Sequence, residues 1–181
     1  MHLDASEIAV RGAFRTQAAV ATLHDVRADG DVLRFRAGDD DVALWLGRAA
    51  ARWATALRTP PPTLAAKLGI RPGTRVAVAG AVDEPTLRDA LAGAEHAAHD
   101  DADVVIARLD DAAQLRTVLR TYARALERRV PIWIVYTKGR TAPLGESAVR
   151  GMMRDAGLID VKVAAVSPAL TALQFVRRAP A

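Results

Sequence analysis

The sequence predicts an α/β protein, with a mostly parallel sheet that ends in an antiparallel hairpin and a small α+β module in front of it. Three observations support this. Arg75-Val76-Ala77-Val78-Ala79, Asp103-Val104-Val105-Ile106-Ala107 and Val130-Pro131-Ile132-Trp133-Ile134-Val135-Tyr136 are short apolar runs rich in β-branched residues, the pattern of strands buried on both faces. Helical periodicity lies between them, and strands alternating with helices pair in parallel through right-handed crossovers. Finally, Val161 to Val166 and Thr171 to Val176 are alternating runs joined through Ser167-Pro168, a connection short enough for an antiparallel pair.

In chain order, Ala18 to Val26 and Val32 to Arg36 read as two strands. Asp29-Gly30 between them supplies the positive φ of a tight hairpin. Val32, Arg34 and Arg36 point one way while Leu33 and Phe35 point the other, so one face is wet. The acidic run Asp39-Asp40-Asp41 reads as the start of a helix, where carboxylates meet free N–H groups and the helix dipole. A metal site is the sharper alternative, but adjacent residues do not converge on one ion and no spaced carboxylates follow. The predicted helix runs from about Val42 to Arg58, with Val42, Trp45, Leu46, Ala49, Trp53 and Leu57 as its buried stripe. The two tryptophans suit packing against the hairpin, or lining a pocket.

Thr59-Pro60-Pro61-Pro62-Thr63 cannot be helical inside and marks a module boundary. The expected organisation is a module over residues 1–59, a proline-rich linker over 60–63 and an α/β domain over 64–181. Leu64 to Leu68 reads as a short helix closed by Gly69, followed by a Pro72-Gly73 turn into the first core strand. Asp83 is expected to cap the next helix, Glu84 to about Leu91, with Pro85 in its first turn. Asp110 and Asp111 open a long helix to about Arg129, with Leu115, Val118, Leu119, Tyr122 and Leu126 on its core face. A polar loop from Thr137 to Pro143 precedes a helix from about Gly145 to Ala156, which Gly157 ends.

The chain has 181 residues, half of them apolar, enough for one full core or a domain with a small appendage. A net charge of +4 and a pI near 10.1 fit an anionic partner, or simply the arginine-rich composition. With no cysteine there is no disulfide, thiolate nucleophile or cysteine metal site. Of His2, His24, His96 and His99 only the last two are close in sequence, in a polar connection, so no metal is expected. Met1-His2-Leu3-Asp4 lacks a signal-peptide layout and no apolar run reaches the roughly 20 residues that span a bilayer, so a soluble cytoplasmic protein without membrane partners is expected.

L-x-I-x-P-G-x-R-V-x-V from Leu68, the Ala102-Asp103-Val104-Val105 strand, Gly157-Leu158-Ile159-Asp160-Val161-Lys162-Val163 and Leu173-Gln174-Phe175-Val176 together resemble a class I methyltransferase fold that has been cut down. With Lys67-Leu68-Gly69-Ile70, they resemble more closely a bacterial domain-of-unknown-function family with this truncated Rossmann-like sheet. The resemblance covers about Leu64 to Arg178 and implies no particular reaction. It does imply a test. S-adenosylmethionine in that fold needs a glycine-rich turn after the first strand and an acidic residue ending the second, whereas Gly80-Ala81-Val82-Asp83-Glu84 holds one glycine. Only about two dozen residues separate the first core strand from Asp103-Val104-Val105-Ile106, too few for two further strands and their helices. Glu95 or Asp100 is the stand-in for the ribose acid.

No P-loop, nucleophile elbow or two-histidine helix motif is present. Ser147 and Ser167 have no histidine nearby in sequence. The rim at the carboxyl ends of the core strands remains, where an open α/β sheet gathers distant residues into one crevice. Gly80, Asp83, Arg108, Asp110, Lys138 and Arg140 are its candidate residues, and a small anionic ligand is expected to meet Arg108, Lys138 and Arg140. The plainer reading makes Asp83 and Asp110 helix caps and the basic residues solvated loop charges. Arg116, Arg120, Arg124 and Arg128 recur at i+4 on the long helix, a stripe that either grips phosphates or is a solvated face. The expected function is therefore a non-catalytic binding or interaction domain, for a small anion or a protein partner, with no cofactor. The alternatives are an atypical S-adenosylmethionine-dependent methyltransferase and a nucleic-acid-binding accessory protein.

Overall fold

The computed structural model describes residues 2–3, 7–11, 15–139 and 142–178. The chain forms two compact units, Met1–Pro61 and Pro62–Ala181.

In the first unit, strands β1 (His2–Leu3), β2 (Glu7–Arg11) and β3 (Arg15–Ala19) form an antiparallel meander. A second antiparallel sheet follows from β4 (Leu23–Asp29), β5 (Val32–Ala37) and β6 (Asp40–Trp45), and helix α1 (Ala50–Arg58) closes the unit. Ile8 and Val10, Leu33 and Phe35, Val42 and Leu44, and Ala50, Ala54 and Leu57 form its core. The hairpin turns at Gly30, at φ +58, as expected.

Four expectations fail here. The strand over Ala18 to Val26 is broken by a 3-10 turn at Val20–Thr22. The helix over Val42 to Arg58 begins only at Ala50, because Val42 and Leu44 alternate with exposed Asp41, Ala43 and Trp45 and pair with β5. Asp39, Asp40 and Asp41 therefore sit at the β5–β6 turn and the start of β6, beside Gly38 at φ +62, and not at a helix start. Trp45 is 76% exposed instead of packed.

The second unit runs α2 (Leu64–Leu68), β7 (Arg75–Ala79), α3 (Pro85–Leu91), β8 (Glu95–His96), β9 (Val104–Arg108), α4 (Ala112–Thr121), α5 (Ala123–Glu127), β10 (Ile132–Thr137), α6 (Glu146–Asp155), β11 (Leu158–Ala165) and β12 (Leu170–Arg177). Its sheet has the order β11-β12-β10-β9-β7-β8. The strands from β8 to β10 pair in parallel, and β12 is antiparallel to both its neighbours, so β12 alone runs against the other five. This is the expected mostly parallel, truncated Rossmann-like sheet with its closing hairpin. Val105, Ala107, Ile132 and Ile134 face Leu115, Val118, Leu126, Val149 and Met153 of α4, α5 and α6. On the other face, Val76, Ile106 and Val135 meet Leu68, Leu87 and Leu91 of α2 and α3. Trp133, fully buried, donates from Nε1 to the Leu68 carbonyl at 3.0 Å and ties α2 to the sheet.

The predicted long helix is interrupted. Tyr122 leaves helical geometry between α4 and α5, and its hydroxyl donates to the Val78 carbonyl at 3.3 Å. The crossover from β7 to β9 holds one helix and the two-residue β8, which pairs only with Arg75 and Val76 at the start of β7.

Candidate functional site

The carboxyl ends of β7, β9 and β10 form one rim, and Gly80 stands on it directly after β7. Its φ is +81, and a Cβ added there would lie 1.9 Å from the Arg108 carbonyl oxygen. Only glycine supplies both that conformation and that approach, so the end of β7 is locked against the end of β9 by bare backbone.

Beside this lock lies a cavity of about 440 Å³, whose lining includes Asp83, Glu84, Arg108, Asp110, Thr137 and Leu170. Arg108, the last residue of β9, is 17% exposed at its side chain while its partner Asp110 is 64% exposed. Its Nη1 donates to the Leu109 carbonyl at 2.6 Å and pairs with Asp110 Oδ1 at 2.7 Å; Nη2 reaches Thr137 Oγ1 at 3.5 Å. A guanidinium has five N–H groups. Nε and one hydrogen of Nη2 have no partner among the described residues, leaving one edge of the fork open.

The crevice thus brings together Asp83, Arg108 and Asp110. The other expected members stand elsewhere. Lys138 is turned away, its Nζ donating to the Ser167 carbonyl at 2.7 Å. Arg140 lies outside the described residues. Gly80 lines a second cavity of about 450 Å³ with Leu109, Thr117, Val118 and Tyr122.

The capping roles also shift by one residue. Glu84, not Asp83, caps α3 by accepting from the Leu87 N–H at 2.8 Å. Asp111, not Asp110, caps α4 by accepting from the Gln114 N–H at 2.8 Å, and Gln114 Oε1 accepts in return from the Asp110 N–H at 2.7 Å. Asp110 is thereby free to hold Arg108. The expectation that Asp83 and Asp110 serve as caps, leaving the basic groups unpaired, is overturned on both sides.

Sequence reasoning missed Glu84, Thr137 and Tyr136. Thr137 carried a usable signal, a lone hydroxyl directly after an apolar strand. Tyr136 carried none; its buried phenol has no hydrogen-bond partner among the described residues and is pushed up to about 12 by burial, with the Glu146 carboxylate raising it further and Arg150 opposing. Arg150 bridges Glu146, at 2.9 Å, to Asp160.

The arginine stripe does not persist as one face, because the helix breaks at Tyr122. Arg124 pairs with Asp100 at 3.9 Å and Arg128 donates to the Asp100 carbonyl, leaving only Arg116 and Arg120 away from that acid. Among the described residues no group of three His, Asp or Glu is placed to hold a metal ion, and no helix is long and apolar enough to cross a membrane.

No family model matches the chain, and no curated protein does. Among solved structures, it is similar to the Methanococcus jannaschii fibrillarin pre-rRNA processing protein at a TM-score of 0.37 and 10% identity, over 91% of this chain and 90% of that one. It is also similar to Trm5b from Pyrococcus abyssi at a TM-score of 0.27 and 12% identity, over 94% of this chain and 62% of that one.

The group that the methyltransferase resemblance implies is S-adenosylmethionine, and the residues present do not fit it in the manner of that fold. The bare face of Gly80, which would let the cofactor approach, is filled by the Arg108 carbonyl. Val82 packs on the core and Glu84 caps α3 where the turn needs further glycines. Neither proposed ribose acid stands at the rim. Glu95 pairs beside Arg75 at the opposite end of β7, and Asp100 lines a surface hollow there with Arg75, Arg128 and Pro131.

Proposed function

We propose that the second unit is a small-molecule binding domain, with Arg108 receiving the ligand's carboxylate or phosphate. The observation that carries this is the open edge of the Arg108 guanidinium inside the crevice, held in place by Asp110, the Leu109 carbonyl and Thr137. A fixed fork binds an oxyanion at a smaller entropic cost than a free arginine does.

The carboxylates modify the earlier expectation of a bare anion. Asp83, Glu84 and Asp110 line the same cavity as the single arginine, so a simple anion meets net negative charge. A ligand with a cationic group beside its oxyanion, as in an amino acid, satisfies Arg108 and Asp83 together.

Thermal unfolding of the full chain against amino acids, inorganic phosphate and S-adenosylmethionine tests the reading. A fitting zwitterion at ten times its Kd should raise the midpoint by about 3–5 °C. Arg108→Ala should abolish that rise and Asp83→Asn should weaken it, whereas S-adenosylmethionine should leave the midpoint unchanged. If Arg108→Ala responds as the parent does, the crevice is not the site. A saturable shift with S-adenosylmethionine that Arg108→Ala removes would replace the binding domain with the methyltransferase alternative.

A further inference from the structure

The first unit carries a polar cavity of its own, and strand register explains how it arises. Directly opposed residues of an antiparallel pair share a face. Arg27 opposes Arg34, His24 opposes Arg36, and Arg36 opposes Asp41 across β4, β5 and β6. Because Leu33, Phe35, Val42 and Leu44 point into the core, these side chains share the outer face. There Arg27, Arg34 and Arg36 line a cavity of about 300 Å³.

A slip in register makes this cluster. Continuing the pairing of His24 with Arg36 would set Arg27 against Leu33, on the core face. The register shifts between His24 and Arg27, with Asp25 at φ +54, and brings Arg27 opposite Arg34 instead. Positive φ at a residue other than glycine costs free energy, and here it accompanies a pairing of two like charges, itself unfavourable.

Compensation within the chain is incomplete. Asp29 lies 3.4 Å from Arg34 Nε and Asp41 lies 3.5 Å from Arg36 Nε, both at exposed positions. Among the described residues Arg27 has only a long contact, 3.5 Å from Nη1 to the Asp25 carbonyl. Three arginines and two aspartates, Asp25 and Asp41, therefore share one small space that keeps a net positive charge, and most of the guanidinium donors have no partner among the described residues.

We infer that this face binds one phosphoryl group of a small molecule, a phosphomonoester, between Arg27, Arg34 and Arg36. Guanidinium forks match phosphate oxygens in paired hydrogen bonds, and a dianion between Arg27 and Arg34 turns their repulsion into shared attraction. The surroundings select a single group over a polyanion, since exposed Asp29, Asp31, Asp39 and Asp40 flank the arginines along the same strands and turns. Trp45, opposite Val32 on the same outer face, offers an apolar surface to the organic part of the ligand.

The test is an amide NMR titration of the full chain with inorganic phosphate and with a nucleoside monophosphate, at constant ionic strength. Saturable shifts should centre on Arg27, Arg34 and Arg36, and the monophosphate should also move Trp45. Arg27→Ala/Arg34→Ala should weaken binding at least about tenfold, while Arg108→Ala leaves it intact. If that double variant does not fold, the exposed single variant Arg27→Gln should weaken binding in the same sense. Shifts that fail to saturate, or that persist unchanged in the Arg27 variants, overturn the inference. So does tighter, steeply salt-dependent binding of a single-stranded oligonucleotide, which would make the face a nucleic-acid surface.

Discussion

Replacing Gly80 by alanine tests whether the rim is locked by bare backbone. At φ +81 an alanine is strained by about 1–2 kcal/mol. Its Cβ would also lie 1.9 Å from the Arg108 carbonyl oxygen, a backbone atom between paired strands, and moving that strand costs a further 1–3 kcal/mol or so. The sum, about 4 kcal/mol, is a large part of the stability of an ordinary domain. With a urea dependence of about 2 kcal/mol per molar, the midpoint of the second unit should fall by about 2 M. Trp133 is buried in that unit's sheet, so its fluorescence follows the second unit alone once Trp45 and Trp53 of the first unit are replaced by phenylalanine. Gly69→Ala is the control, because Gly69 has nearly the same φ, +80, but nothing within 4 Å of an added Cβ. It should cost only the conformational part, a fall of about 0.5–1 M. Equal falls in the two variants would refute the lock and return Gly80 to the role of a ligand-facing glycine.

Tyr136→Phe should leave neutral-pH stability unchanged or higher, since it removes a buried hydroxyl with no partner. The phenol is pushed from its ordinary 10.0 up to about 12, so its contribution is intact below pH 10 and is lost as pH rises toward 12, about 2 kcal/mol that urea midpoints should show in the parent and not in the variant. Matching pH slopes would refute this. Limited trypsin digestion should cut at Arg58, the last residue of α1, or Lys67, on either side of the exposed Thr59–Thr63 segment, and a fragment expressed from Thr63 onward should be soluble. If the halves share one core, no such cut appears and that fragment is insoluble.

The second unit was largely legible in the sequence because its strands are buried on both faces. β7 occupies the predicted residues, and β9 and β10 lie within one or two residues of their apolar runs. Capping was legible in kind but not in register. Asp83-Glu84 and Asp110-Asp111 each offer two adjacent carboxylates, and which one caps depends on the first turn of helix, which composition leaves open. In the first unit Val42, Trp45, Leu46 and Ala49 satisfy a helical period while Val42 and Leu44 satisfy a strand period. Pairing with β5 decides for the strand, and Gly47 at φ +54 separates it from the helix. That single reversal removes Trp45 from the core and places it on the arginine face.

Neither arginine-lined cavity follows from a motif, and both depend on pairing between strands. Arg108 reads as a loop charge until β9 and β10 pair in parallel with Val135 beside it, which brings Thr137 within reach of its guanidinium. Arg27 reads as a turn residue until the slip at Asp25 turns it toward Arg34. The same physics separates these arginines from the stripe on the long helix. Arg124 lies 3.9 Å from the Asp100 carboxylate and Arg128 donates to the Asp100 carbonyl, so each has a partner within the chain. Arg108 keeps a fork edge unused after satisfying its partners, and Arg27 meets only a carbonyl. Donors fixed in place and left unpaired are where an external oxyanion gains most, so ligands should be sought at Arg108 and at Arg27 before the helix, although the helix carries more arginines.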